Sequence, residues 1–391
     1  MSSINFMEKL LDGVEVKWKP LGKVLVRTKG TKITAGQMKE LHKDGAPLKV
    51  FAGGRTVAFV DFDDIPAKDV NREPSIIVKS RGFIEFEYYE KPFSHKNEMW
   101  SYHSKNDDIH IKYVYHFLKL NEPYFQNLGS KMQMPQIATP DTDKFQIPIP
   151  IPCPESPKKS LEIQAEIVRI LDAFTELTAE LTAELTARKK QYNHYRDQLL
   201  SFEEGKEEWK TLGELAENLD SMRKPITSGL RDPGDIPYYG ASCIVDYVKD
   251  YIFDGDFLLV SEDGANLLAR STPIAFSISG KSWVNNHAHV LKFETYAERR
   301  YVEFYLNSID LTPYISGAAQ PKLNQKNLNS ISIPNPSPEE KERIVAILDK
   351  FDALTNSITE GLPREIALRQ KQYEHYRDLL LSFPKLEEVA A

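Results

Sequence analysis

Two histidines, His287 and His289, are the residues of this chain that most suggest metal chemistry. They are two positions apart, so in a β-strand both side chains would point to the same face, and imidazole is a common ligand of zinc. No third histidine, cysteine or carboxylate accompanies them nearby in the sequence. A histidine that is satisfied inside the fold, or that faces a nucleic acid, explains the pair better, and we expect no metal site.

Neighbouring carboxylates offer a second candidate chemistry. Asp63-Asp64 and Glu262-Asp263 could support hydrolysis, in which carboxylates act as general acid or base. No lysine accompanies either pair at the spacing typical of nucleases. Solvated turns are therefore the better interpretation of both pairs.

Motifs that bind nucleotides are missing from the sequence. No Gly-x-Gly-x-x-Gly or Walker loop follows a predicted strand, so the sequence contains no phosphate-binding loop for a dinucleotide or for ATP. Asn335–Pro338 has a superficial similarity to the motif of adenine methyltransferases, but it lacks the aromatic residue and lies in a proline-rich run. The sequence thus indicates a chain that is not catalytic by itself and has no catalytic residues or cofactor of its own.

Basic and amide side chains in the predicted loops favour binding instead. Arg and Lys suit guanine, Asn and Gln suit adenine, and cations also contact phosphates. The DNA-binding candidates of the first half are Arg27, Lys29, Lys32, Arg55, Lys79, Arg81, His95, Lys96, Lys105 and Lys131. Those of the second half are Arg223, Lys224, Arg231, Asn266, Arg270, Lys281, Asn285, Asn286, His287, Gln320 and Lys322. Taken singly, each of these residues is more often an exposed surface residue without a binding role. A net charge of −7 does not by itself suggest DNA binding.

An internal duplication divides the chain into two similar halves. Three segments occur twice: Gln191–Phe202 as Gln372–Phe383, Ile167–Phe174 as Ile344–Phe351, and Lys17–Gly22 as Glu208–Gly213. The first pair reads QYNHYRDQLLSF and QYEHYRDLLLSF, a match far beyond chance. Each half therefore consists of a short lead-in, a long variable segment, a proline-rich hinge and a long helix.

The repeated helices carry a coiled-coil pattern. From Ile167 to Phe202, apolar residues recur at alternating spacings of four and three. A similar stripe in the second copy is interrupted at Gly361–Pro363, where we expect a kink or a restart. Two matching seams would pack on each other, antiparallel; alternatively, each helix covers only its own domain. The predicted coiled-coil and subunit-interface residues are Ile167, Leu171, Phe174, Leu181, Leu185, Tyr192, Tyr195, Leu199, Ile344, Leu348, Phe351, Ile358, Tyr373, Tyr376 and Leu380.

A tandem tetrapeptide lies within the first of these helices. Thr-Ala-Glu-Leu occurs at Thr178–Leu181 and again at Thr182–Leu185, where the offset between the duplicated segments changes from 177 to 181 residues. Four residues lengthen a helix by about 6 Å and rotate it by roughly 40° beyond one turn. We interpret the repeat as a spacer unit.

Proline-rich runs and variable segments complete the domain plan. Ile147–Pro154 and Ile331–Pro338 predict extended segments that act as rigid hinges. Both variable segments alternate short β-type runs with turns and end in one helical stretch, which predicts a shared α+β fold with divergent loops. The predicted domains are 1–154 (first variable domain with lead-in and hinge), 155–205 (central helix), 206–338 (second variable domain with hinge) and 339–391 (distal helix).

The composition is that of an ordinary globular protein. The 391 residues are 41% hydrophobic and 27% charged, which excludes collagen-like, disordered and disulfide-scaffold classes. Two cysteines are too few for a secreted framework. No apolar signal region opens the sequence and no run approaches 18 apolar residues, so we expect a cytoplasmic protein without membrane contact.

This organisation resembles the specificity (S) subunit of type I restriction–modification systems, and the tandem Thr-Ala-Glu-Leu unit looks like the spacer repeat of their type IC branch. The segments KSLEIQAEIVRILDAF and RKKQYNHYRDQLLSF look like the family's central conserved region, and NSITEGLPREIALRQKQYEHYRDLL looks like its distal one. The resemblance covers essentially the whole chain. It is specific in the conserved regions and generic in the variable ones.

The resemblance implies a fold and a set of partners. The fold would be α+β, with two target-recognition domains joined by two long helices in an intramolecular antiparallel coiled coil with pseudo-two-fold symmetry. Each domain would read one part of a bipartite, asymmetric site in double-stranded DNA, while the helices set the spacer and dock two methyltransferase (modification) subunits. Those subunits would use S-adenosylmethionine for adenine-N6 methylation, and restriction subunits would add translocation and cleavage driven by ATP with Mg²⁺.

Two other classes of function remain open at the level of sequence. One is a stand-alone DNA-binding regulator with two domains, and the other is a coiled-coil scaffold for protein ligands. The net charge of −7 fits a recognition subunit whose partners supply much of the phosphate contact. On that interpretation, the isolated chain should bind DNA weakly.

Overall fold

The computed structural model describes residues 7, 9–130, 133–151, 156–203, 205, 207–317 and 320–383. The chain forms two compact units, Met1–Glu180 with Ile366–Ala391, and Leu181–Glu365. One long helix contributes its first half to the first unit and its second half to the second. The units therefore divide the chain differently from the four predicted domains, because each half of the helix is grouped with the variable segment on which it packs.

The first unit contains a four-stranded and a three-stranded sheet. Its strands are β1 (Val16–Pro20), β2 (Val26–Lys29), β3 (Leu48–Phe51), β4 (Val57–Val60), β5 (Ser75–Lys79), β6 (Glu85–Tyr89), β7 (Phe93–His95), β8 (Trp100–His103) and β9 (Gln146–Pro150). Its helices are α1 (Leu21–Val24), α2 (Ala35–Leu41), α3 (Ile111–Leu120), α4 (Glu122–Gly129), α5 (Thr139–Asp143) and the first part of α6 (Lys159–Leu199). The strand orders are β2-β8-β5-β6 and β4-β3-β7. All five residues of β5 are buried, which is expected for a central strand covered on both faces.

The second unit is built on a six-stranded sheet. Its strands are β10 (Trp209–Thr211), β11 (Glu217–Asn218), β12 (Pro233–Tyr239), β13 (Ile244–Val248), β14 (Phe253–Ser261), β15 (Ala275–Val284), β16 (Ala288–Lys292) and β17 (Ser332–Pro334). Its helices are α7 (Leu212–Leu215), α8 (Asn266–Ala269), α9 (Tyr296–Ser308), α10 (Gln325–Asn329) and α11 (Pro338–Thr355), and α12 (Gly361–Leu380) follows. The sheet order is β11-β16-β14-β15-β12-β13. The mixture of helices and strands in both units confirms the predicted α+β class.

Both proline-rich hinges form strands that pair with the lead-in of their own half. β9 pairs antiparallel with β1, and β17 pairs antiparallel with β10. The Tyr113 hydroxyl donates to the Pro148 carbonyl at 2.7 Å, and the Tyr301 hydroxyl donates to the Pro334 carbonyl at 3.0 Å. Proline has no N–H to donate but keeps its carbonyl as an acceptor, so a two-stranded ladder suits these runs. The hinges are extended as predicted; residues 152–155 of the first run lie outside the described part of the chain.

In the first unit, the start of α6 packs against the end of α12. The Phe174 ring stacks on Tyr376 with centroids 5.2 Å apart. Leu171, one turn earlier in α6, shares a buried cluster with Leu380, one turn later in α12. Residue numbers therefore rise along one helix as they fall along the other, so the pairing is antiparallel.

The end of α6 packs in the same way against α11 in the second unit. The Tyr195 ring stacks on Phe351 at 5.6 Å, and Phe202 lies near Glu340 in one shared groove. This pairing is also antiparallel. Both helix pairs use positions predicted for the coiled-coil seam.

The distal helix is broken. α11 ends at Thr355 and α12 begins at Gly361, whose φ of +69° is a conformation that favours glycine. The predicted restart is thus confirmed, with Pro363 in the first turn of α12. Ile358 was predicted on the seam, and this was wrong: it lies between the two helices and is 83% exposed. The apolar spacing did not account for the interruption of the helix.

The Thr-Ala-Glu-Leu unit lies inside an unbroken helix. α6 continues through Thr178–Leu185, and Leu181 and Leu185 are both half-buried. The Thr186 hydroxyl donates to the Thr182 carbonyl at 2.9 Å, as is common for threonine within helices. An inserted four-residue unit would therefore add a full increment of helix.

Among the helices that the structure describes, none has the length and apolar character to cross a membrane.

Candidate nucleic-acid interface

A polar groove of about 750 Å³ in the first unit brings together three of the predicted DNA-binding residues. Arg27, Lys29 and Lys32 line it, together with Lys68, a cation that the sequence analysis missed. The lysines at positions 29, 32 and 68 make no ion pair within the part of the chain that the structure describes. The guanidinium of Arg27 lies 3.5 Å from Asp143. Free ammonium groups along a groove are suited to phosphate oxygens.

The backbone of this groove is held in place from beneath. The Thr31 N–H donates to the His95 carbonyl at 2.7 Å. A Cβ at Gly30 would lie 2.3 Å from the Lys96 carbonyl oxygen, so only glycine fits this close approach. His95 is fully buried, its Nε2 is 3.2 Å from the Ser101 hydroxyl, and burial lowers its pKa. The prediction that His95 contacts DNA is therefore corrected: it supports the loop that carries the lysines.

Lys79 is also removed from the candidate surface. Its side chain is 8% exposed, and its Nζ lies 3.0 Å from Glu85 and 2.7 Å from Glu87 on the neighbouring strand. Burial by itself would lower the pKa of Lys79, but the hydrogen bonds to both carboxylates outweigh it and raise the pKa. This lysine stabilises the β5–β6 hairpin and is not available to a phosphate.

The other candidates of the first unit lie in loops. Arg55 and Arg81 are exposed and belong to neighbouring loops, since a Cβ at Gly53 would lie 3.9 Å from the Arg81 carbonyl. Lys96 is half-buried and forms an ion pair with Glu98 at 2.8 Å. Lys105 is exposed. Lys131 lies outside the described residues.

In the second unit, predicted residues gather around the buried carboxylate of Glu262. Arg223 donates to it at 2.6 Å, and Lys322 lies 2.9 Å away. Burial opposes ionisation of Glu262, but the bonds from Lys322 and Arg223 hold its pKa below the usual value. Arg223 is 12% exposed and also contacts Asp220, so its charge is neutralised internally. The prediction of direct DNA contact by Arg223 is corrected accordingly, while Lys322 remains exposed beside it.

The two histidines of this cluster have different environments. His289 is fully buried, with Nδ1 2.5 Å from Asp220 and Nε2 2.7 Å from the Leu323 carbonyl. His287 is exposed and lies 2.8 Å from Asp263. His289 is thus a satisfied core residue, and no group of three potential metal ligands occurs among residues 7–383 as far as they are described.

Three further candidates of the second unit have structural roles. Asn285 is buried and accepts the His287 N–H at 2.8 Å, so it shapes the turn and does not face solvent. Asn266 accepts the Thr272 N–H at 3.0 Å and closes a loop. Arg270 donates to the Asn307 carbonyl at 3.4 Å, and burial lowers its pKa.

The remaining candidates border the edge of the sheet or its loops. Arg231 pairs with Asp246 at 2.9 Å, and its guanidinium lies 4.4 Å from the Tyr238 ring. Lys281 lies 4.6 Å from the exposed Tyr251 ring. Among these candidates, the exposed residues without a carboxylate partner in the described parts of this unit are Lys224, Lys281, Asn286 and Gln320.

The predicted helix positions grade from buried to exposed. Ile167, Leu171, Ile344, Leu348 and Leu380 are buried; Phe174, Leu181, Leu185, Tyr192, Leu199, Phe351 and Tyr373 are half-buried; Tyr195 and Tyr376 are exposed. In the second unit, α6 and α11 leave a groove of about 680 Å³ with Tyr195, Leu199, Ile347 and Phe351 in its walls. A partly open apolar groove is a surface suited to another protein.

Each variable segment is fixed to its helix by an equivalent ion pair. Lys112 on α3 donates to Asp172 on α6 at 2.7 Å, and Arg300 on α9 lies 2.8 Å from Asp349 on α11. The lysine and arginine precede the repeated Tyr-Val pairs, and the two aspartates hold the same place in the repeated Ile-Leu-Asp segments. The duplication therefore extends to the contact that orients each variable segment on its helix.

Comparisons with known proteins agree with this architecture. A family model described as the type I restriction modification DNA specificity domain matches residues 30–188 and 206–368. The specificity subunit of the type I restriction enzyme EcoR124I/EcoR124II of Escherichia coli is 38% identical over 419 aligned residues, which cover 100% of both chains. The EcoprrI specificity subunit of Escherichia coli is 35% identical and covers 92% of this chain and 93% of its own.

A solved structure has the same fold. The crystal structure of a type I restriction–modification S subunit from M. genitalium matches with a TM-score of 0.65 and 17% identity, covering 96% of this chain and 98% of that chain. Both halves of the present chain match the specificity domain, and whole-length relatives exceed 30% identity. The chain therefore belongs to the type I restriction–modification DNA specificity family, and it carries two target-recognition domains.

Proposed function

We propose that this chain reads a bipartite DNA site, with one half of the site bound by each target-recognition domain, and that its long helices set the distance between the halves. The observation that carries the proposal is the duplicated ion pair, Lys112–Asp172 and Arg300–Asp349, at 2.7 and 2.8 Å. Because each pair joins a variable segment to a conserved helix, a change in the length of the helix would change the position of the segment. A chain with two equivalent modules suits two half-sites of DNA.

The helices would also dock two methyltransferase subunits. Exposed aromatic residues such as Tyr195 and the groove that it lines support this proposal. Those subunits would supply adenine-N6 methylation with S-adenosylmethionine, and restriction subunits would supply ATP- and Mg²⁺-dependent translocation and cleavage. This chain contributes recognition and no reacting group, and the complex would act in the cytoplasm.

The spacer proposal is tested by deleting Thr182–Leu185 from the full chain and mapping adenine methylation on DNA exposed to the chain with its modification subunits. Removing four residues shortens a helix by about 6 Å, against about 3.4 Å per base pair. We expect the same two half-sites with a spacer shorter by one or two base pairs.

A matched control keeps the length of the helix. Replacing Thr182 and Thr186 by alanine removes the hydroxyl contact within the repeat but no helical turn, so the spacer should not change. If the deletion altered the half-site sequences and left the spacer intact, the proposal that the helix sets the spacer length would be wrong. Failure of the unaltered complex to methylate a two-part site would overturn the proposed function itself.

A further inference from the structure

The first unit carries an exposed aromatic residue on a rigid turn. This residue does not line the polar groove described above. Phe83 follows the turn between β5 and β6 and is 52% exposed, whereas the next residue, Ile84, is 2% exposed and lies in the core. Single exposed apolar residues are common on protein surfaces. The residues around Phe83 distinguish it from such isolated apolar residues.

The turn that carries Phe83 is held by hydrogen bonds on both sides. The Gly82 N–H donates to the Pro135 carbonyl at 2.9 Å, and the Ile137 N–H donates to the Ser80 carbonyl at 3.0 Å. The Ser80 hydroxyl donates to the Glu98 carbonyl at 2.5 Å. Exposure of the ring is therefore fixed by the backbone and is not the result of a loose loop.

One arginine lies beside the ring, and a second arginine contacts a methionine next to the same turn. The Arg55 guanidinium lies 5.9 Å from the Phe83 ring centroid, and the Arg81 Nε lies 3.2 Å from the Met134 sulfur. Met134 is itself 53% exposed. Neither arginine forms a direct ion pair with a carboxylate among the residues that the structure describes, although Arg81 lies near enough to Glu98 to help lower its pKa against the effect of burial. The nearby carboxylate of Glu98 is already paired with Lys96 at 2.8 Å.

Apolar side chains flanked by unpaired cations match one kind of ligand in particular. Proteins that kink duplex DNA insert Phe, Leu, Ile, Met or Pro between base steps, while cations hold the neighbouring phosphates. This patch consists of one ring, one thioether and two cations, which is the combination that such a wedge requires. The patch also continues into the groove, because Glu98 contacts the turn and its neighbour Asn97 lines the groove.

We propose that Phe83 is a wedge that stacks on an unstacked base step of the DNA half-site read by the first domain, with Arg55 and Arg81 on the adjacent phosphates. The proposal rests on the DNA-reading function proposed above and deepens it. It makes Phe83 a residue that selects deformable steps, so that specificity is read partly from the flexibility of the duplex.

The test uses the full chain assembled with its modification subunits and a duplex that carries the mapped target, with 2-aminopurine placed at successive positions of both half-sites. Binding of the unaltered complex should raise the fluorescence at one step of one half-site. Phe83→Ala should abolish that rise and weaken target binding about 5- to 150-fold, which corresponds to the loss of one base–aromatic stack. Phe83→Leu should retain part of both effects, since leucine also serves as a wedge.

Tyr124→Ala provides the matched control. Tyr124 is 54% exposed in the same unit, but it packs on the rings of Phe125 and Phe145, away from any arginine pair in the described residues. This variant should bind and unstack the target as the unaltered complex does. Phe83→Ala should keep the thermal midpoint of the unaltered chain, because it removes an exposed side chain.

The possible failures are distinguishable. If the unaltered complex does not prefer the mapped duplex to a scrambled one, the proposed function fails and the wedge fails with it. If it does prefer the mapped duplex and Phe83→Ala binds equally well with the same fluorescence, the wedge alone is overturned. Loss of a modification subunit from the Phe83→Ala complex, with DNA binding by the remainder unchanged, would also overturn it, because the patch would then be a protein interface.

Discussion

Single residues in this chain take their roles from neighbours that are distant in sequence. Lys79 stands opposite Glu85 in the register of β5 and β6, and Glu87 lies two positions further along the same strand. Cross-strand partners of opposite charge attract one another at this range. The residue type alone suggested a phosphate contact. Only the register of the hairpin shows that the ammonium group of Lys79 already binds both carboxylates.

A prediction at the residue scale concerns Asp220. Burial opposes its ionisation, but the hydrogen bond and charge of His289 and the bond from the Val290 N–H together lower its pKa. A lowered folded-state pKa means that Asp220 contributes stability above its unfolded-state pKa of about 4, and that this stability is lost as the pH falls through the folded-state pKa. Asp220→Asn should therefore lower the free energy of unfolding by about 3 kcal/mol near pH 5.5, with a smaller difference at pH 3.

Urea unfolding of both proteins between pH 3 and 5.5 measures this difference. The exposed Asp250 provides the control, because Asp250→Asn removes a carboxylate that has no buried partner in the described part of the chain. A difference between Asp220→Asn and the unaltered chain that stayed constant over this range would contradict the argument.

At the scale of elements, the helices could be predicted from the sequence and the sheets could not. The alternating spacing from Ile167 to Phe202 is a local pattern, and α6 follows it over Lys159–Leu199. The sheets depend on pairings such as β3 with β7, whose partners are far apart in sequence. The loop candidates could be assigned to a surface or to the core only after those pairings were known, which is why His95 and Lys79 were misplaced.

A prediction at this scale concerns the break between α11 and α12. Gly361 has φ +69°, and a Cβ there would lie 2.3 Å from the Ala353 carbonyl oxygen. Gly361→Ala should therefore lower the free energy of unfolding by about 1–3 kcal/mol, measured by denaturant unfolding. Gly229→Ala is the matched control, because a Cβ at Gly229 would meet nothing within 4 Å. Equal effects of the two substitutions would show that the break does not require glycine.

At the scale of the whole molecule, negative charge exceeds positive charge, and several of the cations are buried in internal ion pairs. The net charge is −7, with 50 Lys and Arg against 57 Asp and Glu. Lys79, Arg223, Arg300 and Lys341 are all largely buried beside carboxylates. Other cations stay exposed, and Lys29 and Lys32 are two of them that line one groove. The chain therefore has two target-recognition domains but a net charge that gives no strong general attraction for DNA.

The affinity of the isolated chain for DNA should reflect this balance. Each phosphate neutralised by a protein cation releases counterions, so both affinity and its salt dependence grow with the number of such contacts. We expect the isolated chain to bind its mapped target with a Kd in the micromolar range or weaker, about the level of non-specific binding at physiological salt. Titration by fluorescence anisotropy at several salt concentrations measures both the affinity and the slope. Addition of modification subunits should tighten binding and steepen the slope, because the partners add phosphate contacts. Nanomolar binding by the chain alone, with a slope equal to that of the assembled complex, would mean that its own loops already hold most of the phosphates.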